Sequence, residues 1–196
     1  LKRKKKMRGL NEIFTVTVRV GEADDPSGRN VRWKAEKEVD LILNNFGILL
    51  AGLIRPVPAV TTGKSVTMKD TSGIDRTVYV YQSTGVSPYY FNTGLAGTRI
   101  GVGSSSQAAA RTDYNLITQL GSWASTGDGV WTSATGKITF SGSVYLSEGG
   151  TVREVGFLGY FQYSGGIGGF LLFRDVISDV AIGAGKYAFV QYTINL

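Results

Sequence analysis

Cysteine and histidine are both missing from this 196-residue chain. Without cysteine there is no disulfide and no thiolate-ligated metal, and the redox compartment stays open. Without histidine the chain lacks the commonest general base at neutral pH and the commonest metal ligand. Ser-His-Asp and Cys-His nucleophilic sites and ordinary zinc sites are therefore excluded. Long apolar runs are lacking as well. The longest, Leu41 to Ile54, is interrupted by Asn44 and Asn45 and is too short to span a bilayer, so no membrane partner is expected. Basic residues open the chain, but no apolar stretch follows them directly, so no signal peptide is expected.

What is present favours burial. Hydrophobic residues make up 42% and charged residues only 18%, which argues against disorder and for one main domain over 10–196 behind an arm at 1–9. The 27 glycines outnumber the four prolines and interleave with Thr, Ser, Tyr, Phe and Val, the pattern of short strands and tight turns. The formal charge of +6 resides in the arm, where Lys2, Arg3, Lys4, Lys5, Lys6 and Arg8 meet no acid. From Gly9 onward 15 basic residues balance 15 acidic ones.

Phe14, Val16, Val18 and Val20 alternate with polar residues, the period of a strand with one buried face. Gly21 to Gly28 then reads as a loop. Val39, Ile42, Phe46, Leu49, Leu50 and Leu53 recur at three and four, which predicts a helix near 36–54 with Glu36, Glu38 and Asp40 at its start and Arg55-Pro56 after it. Gly47 and Gly52 inside it are expected to serve close packing on a sheet. Beyond Pro58 the signals are β: Val66 and Met68, Val78 and Val80, Thr98 to Gly103, Ile138 to Leu146 with a bulge expected at Gly142, then Val152 to Tyr163, Phe170 to Ile177 and Tyr187 to Ile194. One helix among so many strands predicts a mainly β fold, an antiparallel, jelly-roll-like β-sandwich with a packed helix. The loop Ser104 to Ala110 and the turn Ser164 to Gly169 show no buried face and are expected at exposed ends of the sandwich.

Little of this points to catalysis. Gly101-Val102-Gly103 lacks the third glycine of a dinucleotide loop and the Gly-Lys-Ser/Thr of a triphosphate loop. Glu148, Glu154, Asp175 and Asp179 supply carboxylates for a glycosidase near Tyr160, Tyr163 and Phe173. Arg153 and Arg174 stand beside Glu154 and Asp175 in apolar strands, however, so structural ion pairs across neighbouring strands are the preferred reading. Most aromatic residues fall at alternating strand positions expected in the core. Trp123, Trp131, Tyr89 and Tyr90 are the candidates for a glycan-stacking surface. No catalytic residue, metal or cofactor is expected.

Several segments of the second half carry a resemblance. Thr98 to Ser105 is a short strand running into a Gly/Ser loop, and Arg111-Thr112-Asp113-Tyr114-Asn115-Leu116 follows it. Lys137-Ile138-Thr139-Phe140 and Gly150 to Gly159 come next, then Leu171 to Ile177 with its central Arg174, then Tyr187 to Leu196. In this order the segments resemble a family of phage and prophage virion proteins associated with tails or tail fibres, over roughly residues 98–196. The resemblance implies a tail, capsid-surface or decoration component located in the virion, forming homo-oligomers and docking on other virion proteins. It implies no catalytic residues. A host-glycan-binding module of a viral adhesin is the alternative, and a β-rich glycoside hydrolase a third reading.

The arm is too charged to join a core. Left alone it is a solvated terminus, while packaged nucleic acid or an acidic neighbouring subunit would hold it, the former through salt-sensitive phosphate contacts. The resemblance favours the protein neighbour. Deleting residues 1–8 is expected to impair incorporation into particles while leaving the thermal unfolding of the body unchanged; normal particles with normal genome content would remove any structural role for the arm.

Overall fold

A computed structural model describes residues 15–39, 43–54, 63–82, 97–126, 129–163 and 165–195, with backbone alone at 52–54, 63–64, 80–82 and 131. The arm at 1–9 lies outside the described residues. Strands β1 (Thr15–Ala23) and β2 (Arg32–Glu38) precede helix α1 (Asn44–Ile54). Then follow β3 (Gly63–Lys69), β4 (Asp75–Gln82), β5 (Thr98–Gly103), β6 (Gln119–Ser125) and β7 (Val130–Thr132). The long strands β8 (Lys137–Leu146), β9 (Gly150–Tyr163), β10 (Gly166–Ile182) and β11 (Lys186–Asn195) complete the order. The fold is mainly β, two antiparallel sheets facing each other, with one helix among the described residues.

One sheet runs β2-β1-β11-β8-β7, and β1 pairs with β11 along its whole length, from Thr15 opposite Asn195 to Ala23 opposite Tyr187. The other is centred on β9, flanked along 154–159 by β10 on one edge and β5 on the other, with β6 beyond β5. β4 joins the far end of β9 through Val78 opposite Tyr163, and β3 pairs with β4.

Alternation builds the core between the sheets. Val16, Val18 and Val20 of β1 and Ala188, Val190 and Tyr192 of β11 meet Val155, Phe157 and Phe161 of β9. Rings concentrate at Phe157, 5.0 Å from Phe140, 5.5 Å from Tyr192 and 5.9 Å from Phe173. A register shift in β10 between Leu171 and Phe173 sends both Leu172 and Phe173 into this core. Leu171 turns to the opposite face, where it packs with Leu158 and Leu43.

Two polar devices close the sandwich. Asn45, only 5% exposed, donates from Nδ2 to the Lys69 and Leu171 carbonyls at 2.8 and 3.2 Å and accepts from the Lys69 amide at 3.1 Å. One helical side chain thus ties β3 to β10. Across the sandwich, edge strand β2 sends Lys34 Nζ to the Ala181 carbonyl at 2.6 Å and Lys37 Nζ to the Val176 carbonyl at 3.0 Å. The two lysines bond β10 on either side of the break in its pairing with β9 between Val176 and Val180, and their charge discourages a foreign strand from adding to β2.

The helix begins at Asn44, not near 36, because Glu36 and Glu38 belong to β2, opposite Arg19 and Thr17. No acidic residue stands in the first turn of α1. Gly47 faces open space rather than a sheet. Gly142 is no bulge, since β8 and β11 stay in register throughout; a side chain there would press on the Ser125 carbonyl, 3.3 Å away. Gly166 to Gly169 extend β10 instead of forming a turn, and by Gly169 the strand is buried. Gly21 to Ala23 lengthen β1.

Because Asn45→Ala leaves one amide and two carbonyls without partners in a nearly dry site, it is expected to lower unfolding free energy by roughly 2–3 kcal/mol. Urea denaturation followed by far-UV circular dichroism checks this, and a loss below half a kilocalorie would show that water replaces the amide freely.

Candidate functional site

The deepest charges among the described residues lie on the face of the β9 sheet turned away from the main core. Glu154 on β9 and Arg174 on β10 have fully buried side chains, and Arg174 Nε donates to Glu154 Oε2 at 2.8 Å. Burying either ion alone is prohibitive, so each must find further partners. Glu154 Oε1 accepts from the Thr118 amide at 2.8 Å and Oε2 from the Ile117 amide at 3.2 Å. Arg174 Nη1 donates to Asp113 Oδ2 at 2.8 Å and Nη2 to the Gln107 carbonyl at 2.9 Å.

All these extra partners belong to the connection between β5 and β6, residues 104–118. The ion pair therefore holds that loop across the sheet. Asp113 Oδ2 also accepts from the Ala110 amide at 2.8 Å, so the carboxylate shapes the loop as well as binding the guanidinium. The Arg111 carbonyl accepts from the Asn44 amide at the start of α1, and Asn115 Nδ2 donates to the Thr71 carbonyl. Loop Ser104–Ala110 thus lies over a sheet face, not at an end of the sandwich, although Ser106, Gln107 and Ala108 remain exposed.

Glycine makes room for this arrangement. A Cβ at Gly103 would stand 2.4 Å from Glu154 Oε1 and 2.5 Å from the Thr118 carbonyl. The Gly101-Val102-Gly103 segment is a strand passing under a carboxylate and under Trp123, whose ring would lie 2.6 Å from a Cβ at Gly101. Half-buried Trp123 also covers Gly156 and packs against the cluster of Leu43, Leu158 and Leu171.

The other candidates separate. Arg153 pairs with Asp179 through two bonds of 3.0 and 3.1 Å at the surface, and that contact raises the arginine pKa. Asp175 points into the main core, where Lys37 of β2 reaches Oδ1 at 2.7 Å. Tyr192 nearby is fully buried; burial, reinforced by the Asp175 charge, pushes its phenol well above the usual value. Glu148 is exposed on the turn before β9. Glu154 and Asp175 consequently occupy opposite faces of one sheet and never flank a common substrate. Tyr89 and Tyr90, with Lys2, Arg3, Lys4, Lys5, Lys6 and Arg8, lie outside the described residues, as does the Trp131 side chain.

Chemically the Arg174 cluster is closed, since every Glu154 oxygen is engaged and none meets solvent. Among the described residues no group of three His, Cys, Asp or Glu side chains is placed to hold a metal, and no helix is long and apolar enough to cross a membrane. Comparison with family models, with curated proteins and with solved structures finds no match to this chain.

Glu154→Gln removes the charge and turns an amide donor toward backbone N–H groups. It is expected to cost roughly 3–5 kcal/mol of stability, as breaking a buried pair does. The double variant Glu154→Leu, Arg174→Met should not recover it, because the Ile117 and Thr118 amides and the Gln107 carbonyl would be stranded. Thermal melts of both variants are the check; full recovery in the double variant would reduce the network to a simple ion pair.

Proposed function

We propose that the chain is a non-enzymatic virion structural protein that self-assembles and docks on other particle proteins. The supporting observation is helix α1. Its eleven residues, NNFGILLAGLI, include no charged side chain, yet Gly47, Ile48, Leu50 and Ala51 are exposed while Leu49 and Asn45 hold the helix to the body. A surface helix of a monomer normally turns a charged face to water. An apolar one suits a contact with a second copy, and the balanced charge of residues 9–196 opposes no such approach.

The resemblance over residues 98–196 points the same way. Its segments fall on β5, on the clamped loop and on β8 to β11, where the charged groups are spent on architecture. Homo-oligomers, other virion proteins and, through the basic arm, packaged nucleic acid or an acidic neighbour are the partners of this reading.

Sedimentation equilibrium of the whole chain should give a discrete closed oligomer. Ile48→Glu with Leu50→Glu should shift it toward monomer by at least tenfold in dissociation constant, with an unchanged circular dichroism spectrum. A wild-type monomer at tens of micromolar would sink self-assembly through α1.

A further inference from the structure

The outward face of the β2-β1-β11-β8-β7 sheet carries side chains that the core does not use. On β11, Tyr187, Phe189 and Gln191 point away from buried Ala188, Val190 and Tyr192. The register sets Tyr187 opposite Tyr145, Phe189 opposite Ser143 and Gln191 opposite Ser141 of β8. On the other side Gly21 of β1 lies opposite both Phe189 and Trp33. With no side chain between them, the Trp33 and Phe189 rings meet edge to face at 5.8 Å, and Tyr145 meets Tyr187 at 5.1 Å. Four rings thus spread over strands β2, β11 and β8, with Trp33 37% and Tyr145 51% exposed.

Beside them opens a cleft of about 500 Å³ lined chiefly by Pro26, Ser27, Ser125, Ser141, Ser143 and Phe189. Its shape is held by the β1–β2 loop. Gly28, at φ +66°, lies against the Phe189 ring, where a Cβ would come within 2.2 Å, and Ser143 Oγ donates to the Pro26 carbonyl at 2.7 Å. The hydroxyls of Ser125 and Ser141 make no hydrogen bond among the described residues, and none of the lining residues is charged.

We infer that this face binds an uncharged glycan. Hydroxyls that both donate and accept match the hydroxyls of a sugar. Aromatic rings give its C–H faces an apolar support that loses little entropy on binding. A nucleic acid or a sulfated polymer would find no counter-charge in the cleft, the one guanidinium described on this face, Arg19, being stacked on Trp33 at 4.3 Å, and the exposed rings lie on the face of the sheet, where a peptide gains no backbone pairing. The size lies within the range of small-ligand clefts. This inference does not depend on α1 or on self-assembly, and it rests on residues other than Trp123, Trp131, Tyr89 and Tyr90.

The test presents the full chain to surfaces bearing cellohexaose, maltohexaose, mannohexaose and the hexamer of N-acetylglucosamine, with heparin and sialylated lactose alongside. At least one neutral oligosaccharide should be retained. Ser141→Ala and Tyr145→Ala, which alter exposed or half-buried side chains and should keep the wild-type melting temperature, should each weaken that retention tenfold or more. Retention of the anionic glycans alone, retention of nothing at millimolar sites, or equal retention by wild type and both variants would each overturn the assignment.

Discussion

One buried ion pair organises the face of the larger sheet. Arg174 and Glu154 are fully removed from water, and an isolated pair in that position gains less from mutual attraction than it loses in hydration. The deficit is offset by drawing in two amides, a carbonyl and a second carboxylate, all from the 104–118 loop. Loop and pair are thereby interdependent, since neither has its partners without the other. The charged groups that resemble catalytic equipment in the sequence are thus the fasteners of an irregular segment.

The same logic extends to the margins of the sandwich. On either side of the break in the β9–β10 ladder, lysines of β2 supply donors, and where β3 approaches β10, the Asn45 amide does so. Backbone groups that regular sheet geometry would leave unpaired are met by long or amide side chains from other elements. The glycines complement these contacts, at Gly103 under a carboxylate and at Gly101 and Gly156 under an indole.

Strands with one face in the core were legible, because Val16, Val18 and Val20, or Val144 and Leu146, alternate with polar neighbours. Thr98 to Gly103 was readable to the residue. β2 was not, because an edge strand of Arg, Lys and Glu has no apolar period, and its acids imitate the start of a helix. β6 and β7 are short and largely exposed, which erases the same signal. At the site, Arg174 and Glu154 stand out as charges in apolar strands, whereas Asp113 is 61 residues from Arg174 and nothing local announces their meeting. Position along a strand also misled for the aromatics: Phe157 and Phe173 are core, but Tyr187 and Phe189, equally regular, face outward. Alternation tells which residues share a face and is silent on which face is covered.

The pairing of β1 with β11 has a consequence in time. Their contacts span about 180 residues of sequence, and β1 lies between β2 and β11 inside its sheet. During synthesis the valines of β1 emerge before the other described strands, yet their main partner strand is made after every other element described. The hairpins β3–β4 and β9–β10 close locally and quickly, while the five-stranded sheet must wait. Folding of this sheet is therefore an act of completion, in which a waiting strand is locked by one made long after it, and a product cut short before β11 would leave the valines of β1 without their partner strand.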